Sequence, residues 1–154
     1  MAMQNIYNYS KPQMTPTKIN HLKDKVTIKD VKKQDSKADQ YLEQKIMTAK
    51  PEELTLMLYE GLVKFLKQGI LYNGDHNIQK THEAIMRAQA IVTELDVTLD
   101  REYAISEGLA QMYDYMNSRL LDANLNKDTE ILKEVLGYSE TLRDTWKEAM
   151  VLAR

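Results

Sequence analysis

The chain has 154 residues, of which 43% are hydrophobic and 29% charged, a composition typical of one globular domain. It contains no cysteine, which excludes disulfides, thiolate catalysis and Cys-ligated zinc. No run approaches the roughly 18 apolar residues that a membrane span needs. The first residues also lack the apolar core of a signal peptide, so we expect a cytoplasmic protein without membrane insertion.

The first 38 residues differ from the rest in charge. They hold eight lysines and three aspartates, a net charge of +5, whereas residues 39–154 carry −7. Two prolines and the lack of a sustained hydrophobic period predict a flexible, lysine-rich N-terminal arm over residues 1–38. The acidic character of the remainder argues against nucleic-acid binding by the folded part. The arm would suit an anionic partner or the body itself.

From residue 39 onward, apolar residues recur every three or four positions, which predicts helices. We expect one short helix and four long ones, at about 39–47, 51–73, 77–97, 100–125 and 128–153, where the third and the fifth of these ranges begin at their N-cap residues. Proline is favoured at the first helical position, as at Pro51. Asn77 and Asp128 are typical N-caps, and Asn73-Gly74 is a typical helix stop.

Each long helix carries an apolar stripe, and short polar links join the helices. This pattern predicts an all-α fold, an antiparallel up-down four-helix bundle with a short extra N-terminal helix. We therefore divide the chain into the arm, 1–38, and a helical-bundle domain, 39–154.

No constellation of side chains suggests catalysis. A di-metal site in a bundle needs Glu-x-x-His, and none of the three histidines, His21, His76 and His82, has a glutamate three positions before it. Phosphate loops, nucleophile elbows and His-Glu-x-x-His are absent from the sequence as well. We expect a binding protein with no metal and no cofactor rather than an enzyme.

The helix that begins at Pro51 carries two apolar stripes. The first includes Leu54, Leu58, Gly61 and Phe65. The second lies within about 80° of arc on a helical projection and comprises Leu56, Tyr59, Val63, Leu66 and Ile70. Each helix of a bundle faces two neighbours, so part of the second stripe can be core. The short helix, a second copy, or a partner docking as an amphipathic helix would each cover the rest.

Four stretches of this sequence resemble the flagellar secretion chaperone family, FliS. The first, TAKPEELTLMLYEGLVKFL at 48–66, is similar to the signature of that family. The others occur in the order of the family: IMRAQAIVTEL (85–95), MYDYMNSRLLDAN (112–124) and EVLGYSETLRDTWKEA (134–149). Together they cover nearly all of the predicted bundle.

The resemblance implies a cytoplasmic helical-bundle chaperone that is not an enzyme. Such proteins hold the C-terminal segment of newly made flagellin, which is disordered before assembly. They prevent premature polymerisation and help deliver flagellin to the flagellar type III export gate. Under this interpretation the second stripe faces the client, and the predicted groove residues are Leu56, Tyr59, Val63, Leu66, Ile70 and Tyr115.

The resemblance also implies a lid, because an N-terminal segment with a tyrosine can fold back over the empty groove in that family. Tyr41 lies ten residues before Pro51, in the register that best matches this tyrosine, and Ile46 follows on the same short helix. Tyr7 matches the extreme N-terminus of the family instead. A lysine-rich stretch of roughly thirty residues separates the two landmarks here, so Tyr7 and Tyr41 are both candidates.

The alternative to a chaperone is a structural or regulatory bundle. It would form a homodimer through the same apolar stripe and would have no unfolded client.

Overall fold

The computed structural model describes residues 37–153, and in that range the only regular elements are five helices. We number them in chain order: α1 (Lys37–Thr48), α2 (Pro51–Gly74), α3 (Ile78–Val97), α4 (Ile105–Asn126) and α5 (Thr129–Leu152). The predicted all-α fold, with a short helix before four long ones, is confirmed. Residues 1–36 of the predicted arm lie outside the described residues.

Three helices begin where local chemistry places their starts. Pro51 is the first residue of α2, where its missing N–H would have no helical partner in any case. The side chain of Asn77 accepts a hydrogen bond from the Lys80 N–H at 3.1 Å, and that of Asp128 accepts one from the Glu130 N–H at 2.9 Å. Asparagine and aspartate thus cap α3 and α5 as predicted.

Helix α4 begins at Ile105, five residues later than the sequence predicted. The carboxylate of Asp100 accepts a hydrogen bond from the Glu102 N–H at 3.0 Å. An aspartate that binds the backbone two residues onward stabilises a turn that competes with helix. The link from α3 to α4 is therefore longer than hydrophobic periodicity alone indicated.

The four long helices form a ring in which α2 and α4 each pack against both α3 and α5. Contacts join late residues of one helix to early residues of its neighbour. The amide of Asn73, near the end of α2, donates to the Thr129 hydroxyl at the start of α5 at 2.7 Å. His82, early in α3, hydrogen-bonds to Asn124, late in α4. This pairing is the one expected of an up-down bundle, and it places α2 diagonally opposite α4.

Helix α1 lies outside this ring and buries a single residue completely. Ile46 is 1% exposed and packs against Leu54 and Met57 of α2, with Leu42 and Ala49 partly buried beside it. This small cluster is separate from the main core, to which all four long helices contribute. Helix α1 is thus held on the bundle through a much smaller apolar contact than the long helices share.

Candidate binding surface

The predicted second stripe of α2 lies mainly inside the bundle. Tyr59 is 2% exposed, and Val63 and Leu66 are buried as well. Leu56 and Ile70 are half-buried and pack against the main core. The expectation that this stripe is uncovered is therefore wrong for its three central members. Their contact with a client stays a prediction that only a complex can test.

Helices α4 and α5 supply the cover for this stripe. The Tyr59 hydroxyl shares a hydrogen bond of 2.5 Å with that of Tyr113 on α4, across the bundle. Trp146 of α5 lies with its ring centroid 6.5 Å from that of Tyr59. The Trp146 indole also donates to the Glu52 carbonyl at 3.0 Å, tying the start of α2 to the end of α5. Because α2 has two long neighbours, its buried arc is wide enough to take in both stripes.

The structure does not bring Tyr115 to the same surface as the α2 residues. Its side chain is 44% exposed on α4, donates to a Glu134 carboxylate oxygen at 3.3 Å, and meets the Tyr138 ring edge-on at 6.0 Å. Partial removal from water, followed by the charge of Glu134, raises the pKa of Tyr115. Arg119 donates to the same carboxylate at 2.8 Å. Tyr115 thus belongs to a polar cluster between α4 and α5.

The predicted lid residues have different positions. Ile46 is buried over Leu54 and Met57, as a residue covering an apolar surface would be. Tyr41 is 69% exposed on the same helix. Tyr7 lies outside the described residues. Of the two described candidates, Ile46 is thus buried against α2 and Tyr41 is not, and the role of either as a lid stays a prediction.

Beside α1 the structure has an open pocket of about 180 Å³, which we call the Gly61 pocket. Its lining residues come from α1, α2 and α3: Leu42, Lys45, Met57, Glu60, Gly61, Lys64, Phe65 and Ile91. A Cβ atom at Gly61 would stand 3.3 Å from the Ile91 Cδ1, tighter than ordinary contact. The pocket therefore has its present shape because position 61 carries no side chain.

Cations surround the aromatic wall of the Gly61 pocket. The Lys64 Nζ is 5.9 Å and the Arg87 guanidinium 5.4 Å from the centroid of the Phe65 ring. A cation over an aromatic face contributes about 0.5–1 kcal/mol at an exposed site. The pocket thus combines an apolar interior with a positively charged edge.

Both stripes of α2 contribute to the core, since Leu58 of the first and Tyr59 of the second are buried in it. Gly61 and Phe65 of the first stripe also line the Gly61 pocket beside α1, together with Met57. Sequence reasoning missed the pocket itself. The available signal was Gly61, because a glycine inside a long apolar helix costs helix propensity and calls for a local packing reason.

No group of three or more histidine, aspartate or glutamate side chains in residues 37–153 is arranged to hold a metal ion. Within the same residues, each helix is either too short or too polar to cross a membrane.

Comparison with known proteins gives a consistent family. The family model described as "Flagellar protein FliS" matches residues 32–153. The flagellar secretion chaperone FliS of Bacillus subtilis (strain 168) is 41% identical over 110 residues, which are 71% of this chain and 83% of the relative. The proteins of the same name from Escherichia coli (strain K12) and Salmonella typhimurium (strain LT2) are 32% and 33% identical. The alignments cover 71% and 70% of this chain and 83% and 82% of those relatives. This chain therefore belongs to the FliS family of flagellar proteins.

Proposed function

We propose that this protein is a cytoplasmic export chaperone for flagellin. It binds the C-terminal segment of flagellin while that segment is disordered, prevents premature polymerisation, and helps deliver flagellin to the flagellar type III secretion apparatus. Membership of the FliS family supports this proposal, as do relatives named flagellar secretion chaperones. The role consists of binding and release and requires neither catalysis nor a cofactor.

The observation that carries the proposal is the way α1 covers α2. Ile46 is the one fully buried residue of this 12-residue helix, and it covers Leu54 and Met57. Burial of one isoleucine contributes about 1.5–3 kcal/mol, and a helix this short is marginal by itself in water. Helix α1 can therefore leave α2 at much lower cost than the roughly 5–15 kcal/mol of global unfolding.

Removal of α1 would uncover a continuous apolar surface. Leu54 and Met57 would open to solvent, and Met57 also lines the Gly61 pocket, which leads on to Phe65. An amphipathic segment of a client can bury itself there as an added helix. The proposal thus moves the main client contact from the second stripe of α2 to the side that α1 covers.

The energetics suit a chaperone that must release its client. A segment that folds on binding typically buries about 1,000–3,000 Å² of surface. The entropy lost when the segment becomes ordered offsets much of the free energy gained by that burial. Contacts that are mostly apolar, at about 25 cal/mol per Å², can be transferred to another apolar surface without breaking a strong ion pair. Sequestering the segment also competes with its contacts in the filament.

The test is a calorimetric titration of the full chain with a peptide of the last forty or so residues of flagellin from the same genome, a length that the family resemblance suggests. Two variants of α1 sharpen it. Ile46→Asp detaches α1 and should raise the affinity about tenfold or more, because the surface is no longer covered in the free protein. Met47→Asp, at an exposed neighbouring position, should leave the affinity within about twofold of that of the unaltered chain.

Light scattering on the same samples distinguishes a client-binding chaperone from a bundle that forms a homodimer and has no client. A monomeric chain that forms a one-to-one complex with the peptide is expected. A stable dimer that ignores the peptide would contradict the proposal and favour a bundle that self-associates. A loss of affinity in Ile46→Asp would show that α1 is part of the client site rather than its cover.

A further inference from the structure

We propose that the Gly61 pocket selects the client sequence. It takes one apolar side chain of flagellin that stands next to an acidic residue, and the carboxylate of that residue pairs with Lys64. This inference rests on the proposed function, since it assigns a sequence preference to the same client site.

The shape of the pocket can accommodate the apolar side chain of flagellin. Met57, Phe65 and Ile91 supply apolar walls, and the volume of about 180 Å³ has room for a single side chain of the size of leucine or phenylalanine. Gly61 keeps this room open, because a Cβ there would meet Ile91 at 3.3 Å. Because glycine has no side chain, a second chain can approach the helix closely at this position and reach the open apolar pocket.

The charges around the pocket favour an acidic neighbour. Lys45 and Lys64 lie among its lining residues, and Arg87 lies against the Phe65 ring. Glu60 is the one acid that lines it.

Lys45 belongs to α1 and would leave with that helix. Lys64 of α2 and Arg87 of α3 stay in place and outnumber Glu60, so the edge keeps a net positive charge. A carboxylate of the partner gains from this charge.

The same charges argue against two other occupants. Residues 1–38 of this chain carry a net charge of +5, so the positive edge of the pocket disfavours that segment. A second copy docking face to face would bring two sets of lysines together. Like charges placed opposite each other disfavour a complex, which leaves a partner segment with an acidic side chain beside its apolar anchor.

The position of the pocket connects it to the surface under α1. Met57 belongs to the same buried cluster as Ile46 and also lines the pocket. Since Met57, Gly61, Lys64 and Phe65 all belong to α2, this side of the pocket persists when α1 leaves. A client that replaces α1 can thus extend directly into the pocket.

The test is titration of full-length monomeric flagellin from the same genome into four variants of the full chain. Lys64→Glu reverses the charge at the edge, and Lys67→Glu makes the same change one turn along the exposed face of α2, outside the pocket lining. Gly61→Ala narrows the pocket, and Gly137→Ala adds the same methyl group at an exposed site of α5 with open space around it. Circular dichroism confirms that each variant is folded.

We expect Lys64→Glu to weaken flagellin binding about five- to tenfold, and Gly61→Ala to weaken it about fivefold. Both controls should bind within about twofold of the unaltered chain. The difference between Lys64→Glu and Lys67→Glu should shrink at roughly 0.5 M salt, because an ion pair at an exposed edge is screened.

The outcomes distinguish this inference from the function on which it rests. If the unaltered chain and all four variants bind flagellin equally, the assignment of the pocket is overturned while the chaperone function stands. If the unaltered chain does not bind flagellin, the proposed function fails and the inference fails with it. If Lys64→Glu changes self-association but not flagellin binding, the pocket belongs to an interface between copies, and the inference is again overturned.

Discussion

The hydroxyl groups of Tyr59 and Tyr113 share a hydrogen bond of 2.5 Å in the interior of the bundle, joining the diagonal helices α2 and α4. A double-mutant cycle should show that the effects of the two hydroxyl groups on stability are coupled. We expect the free energies of unfolding of Tyr59→Phe, Tyr113→Phe and the double variant to give a coupling energy of about 0.5–1.5 kcal/mol. Urea denaturation measures it. Additive effects would show that the two hydroxyls do not depend on each other.

A substitution at Leu66 tests whether the second stripe of α2 lies inside the bundle. It is buried in the main core, so Leu66→Asp should cost about 3–5 kcal/mol of stability, because an unpaired carboxylate would replace an apolar side chain there. Leu71→Asp on the same helix, where the side chain is 63% exposed, should cost less than about 1 kcal/mol. Thermal melting followed by circular dichroism compares them. A folded Leu66→Asp variant with an unchanged melting temperature would mean that Leu66 faces solvent.

Asn73 links the end of α2 to the turn between α4 and α5. Its side-chain amide donates to the Lys127 carbonyl at 2.8 Å and to the Thr129 hydroxyl at 2.7 Å. Asn73→Ala should therefore destabilise the protein by about 1–3 kcal/mol. Asn126→Ala, which removes one exposed hydrogen bond to the Asp122 carbonyl, is the matched control and should cost less than about 0.5 kcal/mol. Equal costs in urea denaturation would contradict the account of Asn73.

The turn after α2 has its left-handed residue at His76 rather than at Gly74. The sequence predicted a helix stop at Asn73-Gly74, and α2 does end at Gly74. The left-handed backbone, however, falls on His76, with φ of 56°, and no described glycine has positive φ. Gly74→Ala should therefore stabilise the protein by about 0.5–1 kcal/mol, since nothing lies within 4 Å of the added methyl group. A comparable loss in a thermal melt would place the left-handed residue at Gly74.

Much of the fold was predictable because its signals are local. A proline at a first helical position and capping side chains act over three or four residues, so Pro51, Asn77 and Asp128 identified helix starts correctly. The start of α4 was predicted too early because the turn made by Asp100 depends on one side-chain hydrogen bond. Hydrophobic periodicity carries no information about that bond.

The candidate site was less predictable because it depends on which neighbour covers which side of α2. A helical projection gives the angles of Tyr59 and Phe65 but not the directions of α3, α5 and α1 around them. The structure places α5 beside Tyr59 and leaves Phe65 at a pocket edge. Gly61 was the one local sign of this arrangement, since a Cβ atom there would stand only 3.3 Å from the Ile91 Cδ1 of α3.

Hydrogen exchange of the full chain, with and without monomeric flagellin, tests most directly whether the client replaces α1. Amides of Lys37–Thr48 should exchange faster in the complex, while those around Met57 and Phe65 become more protected. Amides near Tyr115, on the far side of the bundle, should not change. Unchanged exchange in α1, with new protection centred on Tyr115 and Tyr138 instead, would contradict the account.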